Sequence, residues 1–157
     1  MPLDSDHKET IRRKVMRYCS YQERTEKEVQ DKLYTWGVTQ KETASIIQAL
    51  KEDRLLDEKR YLEAFIRAKG MRKQWGKRKI KTALIKKGLN ETMIQKGLAM
   101  IEPTDYLQCL RYVANRKKKS LAGATAIQVR HKLTNHLLQK GYEPDLVRQI
   151  VQELTVQ

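Results

Sequence analysis

The sequence predicts an all-α protein made of three tandem three-helix repeats that form an elongated, curved array. Three glycines, Gly37, Gly88 and Gly141, stand 51 and 53 residues apart. No segment alternates with the two-residue period of a strand, and units this small bury their apolar faces only by stacking on their neighbours. The positions eight and four before each glycine, and ten and thirteen after it, are apolar in every copy: Val29, Leu33, Ile47 and Leu50; Ile80, Leu84, Leu98 and Ile101; Leu133, Leu137, Val151 and Leu154.

The first repeat is predicted to span residues 1–54 and to begin with a helix from about His7 to Tyr21. Gly37 is expected to end the second helix in a left-handed conformation. Two capping boxes are predicted to open the second and third helices. In each, the threonine side chain accepts a hydrogen bond from the amide three residues later, and the glutamate there satisfies a free amide in return. The boxes are Thr25 with Glu28, and Thr39 with Glu42.

The second repeat, residues 55–102, has the same order of signals. Asp57 is predicted to cap a first helix, and a second helix extends from about Gly76 to Gly88. Asn90 caps the third helix. The first helix is expected to bury one apolar face formed by Tyr61, Leu62, Phe65 and Ile66.

The third repeat, residues 103–157, carries weaker signals. Thr104 is predicted to cap its first helix, and Arg116 to Gly123 is expected to be a loose connector. A second helix ends at Gly141, and Pro144 in a first-turn position begins the last helix.

The charge distribution points to a polyanionic partner. The formal net charge is +14, yet residues 1–63 hold 13 basic and 13 acidic residues, whereas residues 64–157 hold 20 basic and 6 acidic ones. Between Ala64 and Asn90 there are ten basic residues and no acidic one, and residues 106–142 also lack acids. Phosphate contacts release counterions, so six to ten of them would weaken binding roughly 10³–10⁵-fold between 50 and 200 mM salt.

The candidate binding residues lie around the second helix of the middle repeat and in the connector of the third. Trp75, at the centre of this basic stretch, either stacks on a base or fills a gap between repeats. The plainer alternative is that the lysines form a solvated face without a partner. A lipid surface is disfavoured because the apolar stripe is needed by the repeat core. The candidates are Arg67, Lys69, Arg72, Lys73, Trp75, Lys77, Arg78, Lys79, Lys81, Lys117 and Lys118.

The sequence offers no catalytic, metal or cofactor site. Its three histidines are scattered, and no serine or cysteine lies in a nucleophile motif. Gly70 and Gly76-Lys77 imitate a phosphate-binding loop, but five residues separate the glycines and Arg78 stands where magnesium needs a hydroxyl. We therefore expect a protein that is not an enzyme.

The cellular setting is expected to be the cytoplasm. The two cysteines, Cys19 and Cys109, lie far apart in the sequence and lack the spacing of a metal site or a redox motif. We therefore expect both to be reduced thiols. The first ten residues are polar and lack the apolar region of a secretory signal. No apolar run is long enough to cross a membrane.

Two spaced patterns resemble a known family. In the first repeat the pattern is Tyr18, Tyr21, Gln22, Arg24, Thr25, Glu28, Val29, Lys32, Leu33, Trp36 and Gly37. In the second repeat it is Leu55, Leu56, Asp57, Glu58, Tyr61, Phe65, Arg67, Trp75, Gly76, Ile80, Leu84, Lys87 and Gly88. In order and spacing these patterns resemble the RecX family, regulatory proteins of the RecA recombinase. The third repeat matches the family more loosely.

The resemblance implies three three-helix repeats and a partner, the RecA filament on single-stranded DNA. A RecX-like protein binds in the filament groove and restrains ATP hydrolysis, strand exchange and filament growth during homologous recombination, DNA repair and the SOS response. The resemblance also implies direct contact with single-stranded or double-stranded DNA. We expect the protein to be a monomer. The family often has a more glycine-rich segment where this chain has Gln74-Trp75-Gly76. The rival hypothesis is a stand-alone DNA- or RNA-binding module that does not need RecA.

Overall fold

The computed structural model describes residues 4–156. Residues 1–3, which belong to the polar N-terminal segment considered above, and Gln157 lie outside the described range. Within that range the chain is helical, without a strand, and no helix is long and apolar enough to span a membrane. The helices are α1 (Ser5–Tyr21), α2 (Glu26–Thr35), α3 (Gln40–Glu52), α4 (Glu58–Arg67), α5 (Lys77–Lys86), α6 (Glu91–Ala99), α7 (Pro103–Ser120), α8 (Ala126–Gln139) and α9 (Pro144–Thr155), with a π-helical turn at Ala68–Arg72.

The predicted all-α fold with three-helix units is confirmed. Helices α1–α3, α4–α6 and α7–α9 each enclose their own apolar core. Ten of the twelve aligned apolar residues are buried, and Ile101 and Leu154 are half-buried. The accessible surface of 10877 Å² exceeds the roughly 8,200 Å² expected for a compact monomer of this mass, as an extended array should. The residue limits given above for the repeats stay predictions.

Most of the predicted helix ends are confirmed. The glycines that close α2, α5 and α8 have φ of +80°, +86° and +96°. The residue after each glycine is buried, and its amide donates to the carbonyl five residues earlier, which closes the helix end. Four predicted caps accept a hydrogen bond from the amide three residues later: Thr25, Thr39, Asp57 and Asn90. For the two predicted capping boxes this confirms the threonine half, and a complete reciprocal box is formed by Thr125 and Gln128, which was not predicted.

Two expectations for the third unit are wrong. Glu102, not Thr104, caps α7, because Pro103 suits the first helical position and the Thr104 amide donates to the Glu102 side chain. The connector expected at 116–123 is mostly helix, since α7 continues to Ser120. Arg and Lys are good helix formers, and cations in a last turn interact favourably with the helix dipole. The real connector is residues 121–125.

The first two units meet through polar side chains. The Glu58 carboxylate accepts a hydrogen bond from the Glu26 amide at 3.1 Å, and burial raises the pKa of Glu58. Arg60 pairs with Glu23 across the junction at 2.5 Å, and Lys51 pairs with Glu26 within the first unit. These pairs are partly exposed, so each contributes only about 0–1 kcal/mol. The junction of the second and third units is built differently.

Candidate polyanion-binding surface

The segment between α4 and α5 is shaped by a π-helical turn that the sequence pattern did not reveal. The Trp75 amide donates to the Lys69 carbonyl at 2.9 Å, which folds the chain back over the turn. The Trp75 ring is half-buried and packs against the core of the second unit. The Lys69 and Lys79 ammonium nitrogens lie 4.8 and 4.4 Å from a Trp75 ring centroid, within the range of cation–π attraction. Trp75 therefore packs within the second unit, and its stacking on a base stays a prediction.

Two glycine turns interlock at the junction of the second and third units. The Gly76 amide donates to the Lys140 carbonyl at 2.7 Å, and the Arg78 amide donates to the Gly141 carbonyl at 3.0 Å. A Cβ on Gly76 would overlap the backbone of Gly141 and Tyr142, and a Cβ on Gly141 would overlap the Lys79 side chain. The start of α5 is therefore fixed against the end of α8 by backbone contact that only glycine allows.

Two buried tyrosines complete this junction. The Tyr106 hydroxyl accepts a hydrogen bond from the Lys77 amide at 2.9 Å and donates to the Glu143 carboxylate. The Tyr142 hydroxyl donates to the Gln74 carbonyl at 2.9 Å. Burial raises the pKa of both tyrosines far above the usual range, reinforced by Glu143 at Tyr106 and by the Cys109 thiol at Tyr142, so both remain neutral donors. These hydrogen bonds thus join residues that lie about 30 to 70 positions apart in the sequence.

The interlock brings the two acid-free segments of the sequence together. The Lys140 ammonium donates to the Lys73 carbonyl at 2.9 Å. Partial burial, then the nearby charges of Lys79, Arg116 and Lys73, lowers the pKa of Lys140, so these three cations lie close enough to repel the Lys140 ammonium. Burial together with Lys117 and Lys140 likewise lowers the pKa of His136. We call this group the basic surface: Lys73, Lys79, Arg116, Lys117, His136 and Lys140.

The predicted binding residues divide into three groups. Lys73, Lys79 and Lys117 belong to the basic surface. Two lysines make contacts within the protein: Lys77 is half-buried over the Tyr106 ring at 4.8 Å, and the exposed Lys118 donates to the Leu154 carbonyl at 2.7 Å at the end of α9. The remaining charged candidates lie around the π turn and on α5, and their role in binding stays a prediction: Arg67, Lys69, Arg72, Arg78 and Lys81.

Sequence reasoning missed Lys140, which lies at the centre of the basic surface. Its position in an acid-free segment just before a repeat glycine was the available signal. Within residues 4–156, no group of three or more His, Cys, Asp or Glu side chains is placed to hold a metal ion. The chemistry that this site offers is the binding of anionic groups by a clustered set of cations.

Replacing Tyr106 with phenylalanine is expected to weaken the junction. The change leaves the Lys77 amide and the Glu143 carboxylate without the hydroxyl that joins them, at a cost of about 1–3 kcal/mol in the free energy of unfolding. Urea unfolding measures the loss. Tyr112→Phe is the matched control, since Tyr112 is 55% exposed on the same helix. Equal stability of the two variants would show that the hydroxyl is not needed.

The chain matches the models of all three RecX domains, which together span most of its length. The first three-helix domain matches residues 12–50, the second residues 57–98, and the third residues 104–151. The match of the third domain is notable because its sequence signals were weak.

Curated relatives share moderate identity. A regulatory protein RecX from Clostridium perfringens (strain 13 / Type A) is 35% identical over 134 residues, which cover 84% of this chain and 62% of the relative. One from Bacillus mycoides (strain KBAB4) is 28% identical over 137 residues, which cover 87% of this chain and 51% of the relative. The chain therefore spans only about half to three-fifths of the length of these relatives.

Solved structures support the fold. The crystal structure of RecX from Lactobacillus salivarius superposes with a TM-score of 0.88 at 26% identity, covering 96% of this chain and 98% of that one. A second crystal structure, of a regulatory protein RecX, gives a TM-score of 0.83 at 21% identity, with 96% and 80% coverage. The second comparison bears on the fold alone.

Proposed function

The chain belongs to the RecX family, and on that premise we propose that it is a non-enzymatic regulator of the RecA recombinase. It binds in the groove of the RecA–DNA filament and inhibits ATP hydrolysis, strand exchange and filament growth. The observation that supports this proposal best is the basic surface, which continues from the second domain to the third across a fixed junction.

A filament on single-stranded DNA is a suitable partner for such a surface. The phosphates run as a regular line of negative charge, and an extended array offers more contact area than a globule of equal mass. The repulsion that Lys73, Lys79 and Arg116 exert on Lys140 is relieved when an anion binds beside them. Anion binding should therefore be favoured at the junction itself.

The direct test is the rate of ATP hydrolysis by RecA on single-stranded DNA. We expect the rate to fall as the protein is added up to stoichiometric amounts, and we expect filament growth to stop in the same range. A heat-denatured sample of the same chain is the control. An unchanged rate at stoichiometric protein would contradict the proposal.

The second candidate function is a stand-alone DNA- or RNA-binding module, which the absence of acids from the two basic segments also supports. The two functions differ in their dependence on RecA. A salt titration of binding to single-stranded DNA, with and without RecA, separates them. The module predicts tight binding to naked nucleic acid and no gain from RecA, whereas the regulator predicts tighter binding to the filament.

A further inference from the structure

The first domain has a partly exposed aromatic face at the edge of its core, against which Tyr18 and Trp36 pack. The Tyr18 and Trp36 rings meet edge to face, with centroids 6.5 Å apart and planes at 77°. Both are partly exposed at the α1–α2 boundary, and Tyr21 at the end of α1 is 82% exposed. Three cations border these rings. We call the group the aromatic patch: Lys14, Tyr18, Tyr21, Arg24, Lys32 and Trp36.

Arg24 is held in place at the centre of this patch. Its guanidinium carbon lies 3.7 Å from the Tyr18 ring centroid and 6.0 Å from that of Tyr21. Its Nε donates to the Tyr18 carbonyl at 3.0 Å, and its side chain is only 11% exposed. Because stacking and a hydrogen bond already fix Arg24, the patch loses little conformational entropy when a partner binds.

The two lysines of the patch are more exposed than Arg24 and lie near the Tyr18 and Trp36 rings. Lys32 Nζ is 5.5 Å from the Tyr18 centroid and 6.0 Å from the Trp36 centroid, and Lys14 Nζ is 5.5 Å from Trp36. Ammonium groups above aromatic rings can pair with carboxylates of a partner while the rings bury apolar surface. Tyr, Trp and Arg are also the residue types that dominate binding energy at protein interfaces.

The charge around the patch distinguishes it from the basic surface. The Glu28 and Asp31 carboxylates lie near enough to Tyr18 to add to the effect of burial, which raises its pKa. Glu28 also lies 3.9 Å from Arg24, so acids and cations stand together here, whereas the basic surface lies in segments without acids. Tyr and Trp side chains beside an arginine are the residue types enriched at protein interfaces.

We propose that the aromatic patch binds a protein surface that presents carboxylates beside apolar groups, while the basic surface contacts the DNA backbone. This inference rests on the proposed function, because the protein that it assigns to the patch is a RecA subunit of the filament. The first domain then supplies recognition of the filament protein, and the second and third domains supply affinity for its nucleic acid.

The test compares two double variants with the same change in charge. Lys14→Glu with Tyr21→Ala alters the patch at exposed positions. Lys41→Glu with Tyr34→Ala is the control, because Tyr34 is 81% exposed and lies about 160° from Trp36 around the α2 axis. Circular dichroism melting verifies that both variants fold like the wild type.

Affinity is measured for RecA filaments on single-stranded DNA and for the same DNA alone. The patch variant is expected to lose about tenfold or more in filament affinity, since interface anchors contribute more than 1 kcal/mol. Its affinity for naked DNA should match that of the control within about twofold.

Three outcomes would overturn the inference in distinguishable ways. Filament affinity equal to that of the control would show that the patch does not contact RecA. An equal loss on filaments and on naked DNA would show that the patch binds nucleic acid. If the wild type bound filaments no more tightly than naked DNA, the proposed function would fall, and the inference with it.

Discussion

Gly141→Ala is expected to lower the free energy of unfolding by about 2–4 kcal/mol and to disorganise the junction of the second and third domains. Two costs combine. The φ of +96° disfavours any residue with a Cβ by about 1 kcal/mol. The new Cβ would also overlap that of Lys79 and lie 2.6 Å from the Lys79 backbone nitrogen, so α5 must move away, and overpacking of this kind costs about 1–3 kcal/mol.

Gly37→Ala separates these two costs. Gly37 closes α2 in the first domain as Gly141 closes α8 in the third, and its φ is +80°, but no atom lies within 4 Å of the position of an added Cβ. The control should therefore lose only about 1 kcal/mol. A second variant, Gly76→Ala, tests the overlap alone, because Gly76 has an ordinary φ of −76°.

Urea unfolding followed by tryptophan fluorescence measures these differences, since Trp75 adjoins the junction. We also expect Gly141→Ala to bind single-stranded DNA more weakly than Gly37→Ala does, because the basic surface is assembled by the interlock. If Gly141→Ala and Gly37→Ala were equally stable, the two glycine turns would not be in contact in solution.

The fold was largely predictable because its determinants are local and repeated. Val29, Ile80 and Leu133 occupy the same position in each unit, and each is fully buried. Caps such as Asp57 and Asn90 act on an amide three residues away, so short-range pattern is enough to place them. The predicted end of α7 was wrong for a related reason. A run of cations was interpreted as a connector, although it is compatible with the end of a helix.

The candidate site was only partly predictable because its determinants are distant in sequence. Lys140 donates to a carbonyl 67 residues away, and no periodicity indicates which two helix ends will meet. Tyr106 has the spacing of an ordinary core residue, yet its hydroxyl joins two domains. Lys77 and Lys118 belong to the basic runs, yet the side chains of both already make contacts within the protein. Charge composition identified the surface, whereas tertiary contact decides which side chains remain available to a partner.

Neutralising three residues of the basic surface is expected to reduce both affinity and its salt dependence. The variant carries Lys73→Gln, Lys79→Gln and Arg116→Gln, all at exposed positions. Each phosphate contact on single-stranded DNA contributes about 0.7 to the slope of log K against log salt. Loss of three contacts should therefore lower the slope by about 2 and weaken binding about a hundredfold at 0.1 M salt. Loss of the Lys79–Trp75 contact should cost only about 0.5–1 kcal/mol of stability.

A triple variant of the first domain with the same change in net charge is the control: Lys8→Gln, Arg12→Gln and Lys41→Gln. General attraction between a cationic protein and DNA depends on total charge, so it predicts equal losses for both variants. Direct phosphate contact at the junction predicts that only the first variant changes the slope. Fluorescence anisotropy of a labelled oligonucleotide from 50 to 200 mM salt gives both slopes. Parallel lines for the two variants would mean that the close approach of Lys73, Lys79 and Arg116 to Lys140 has no part in binding.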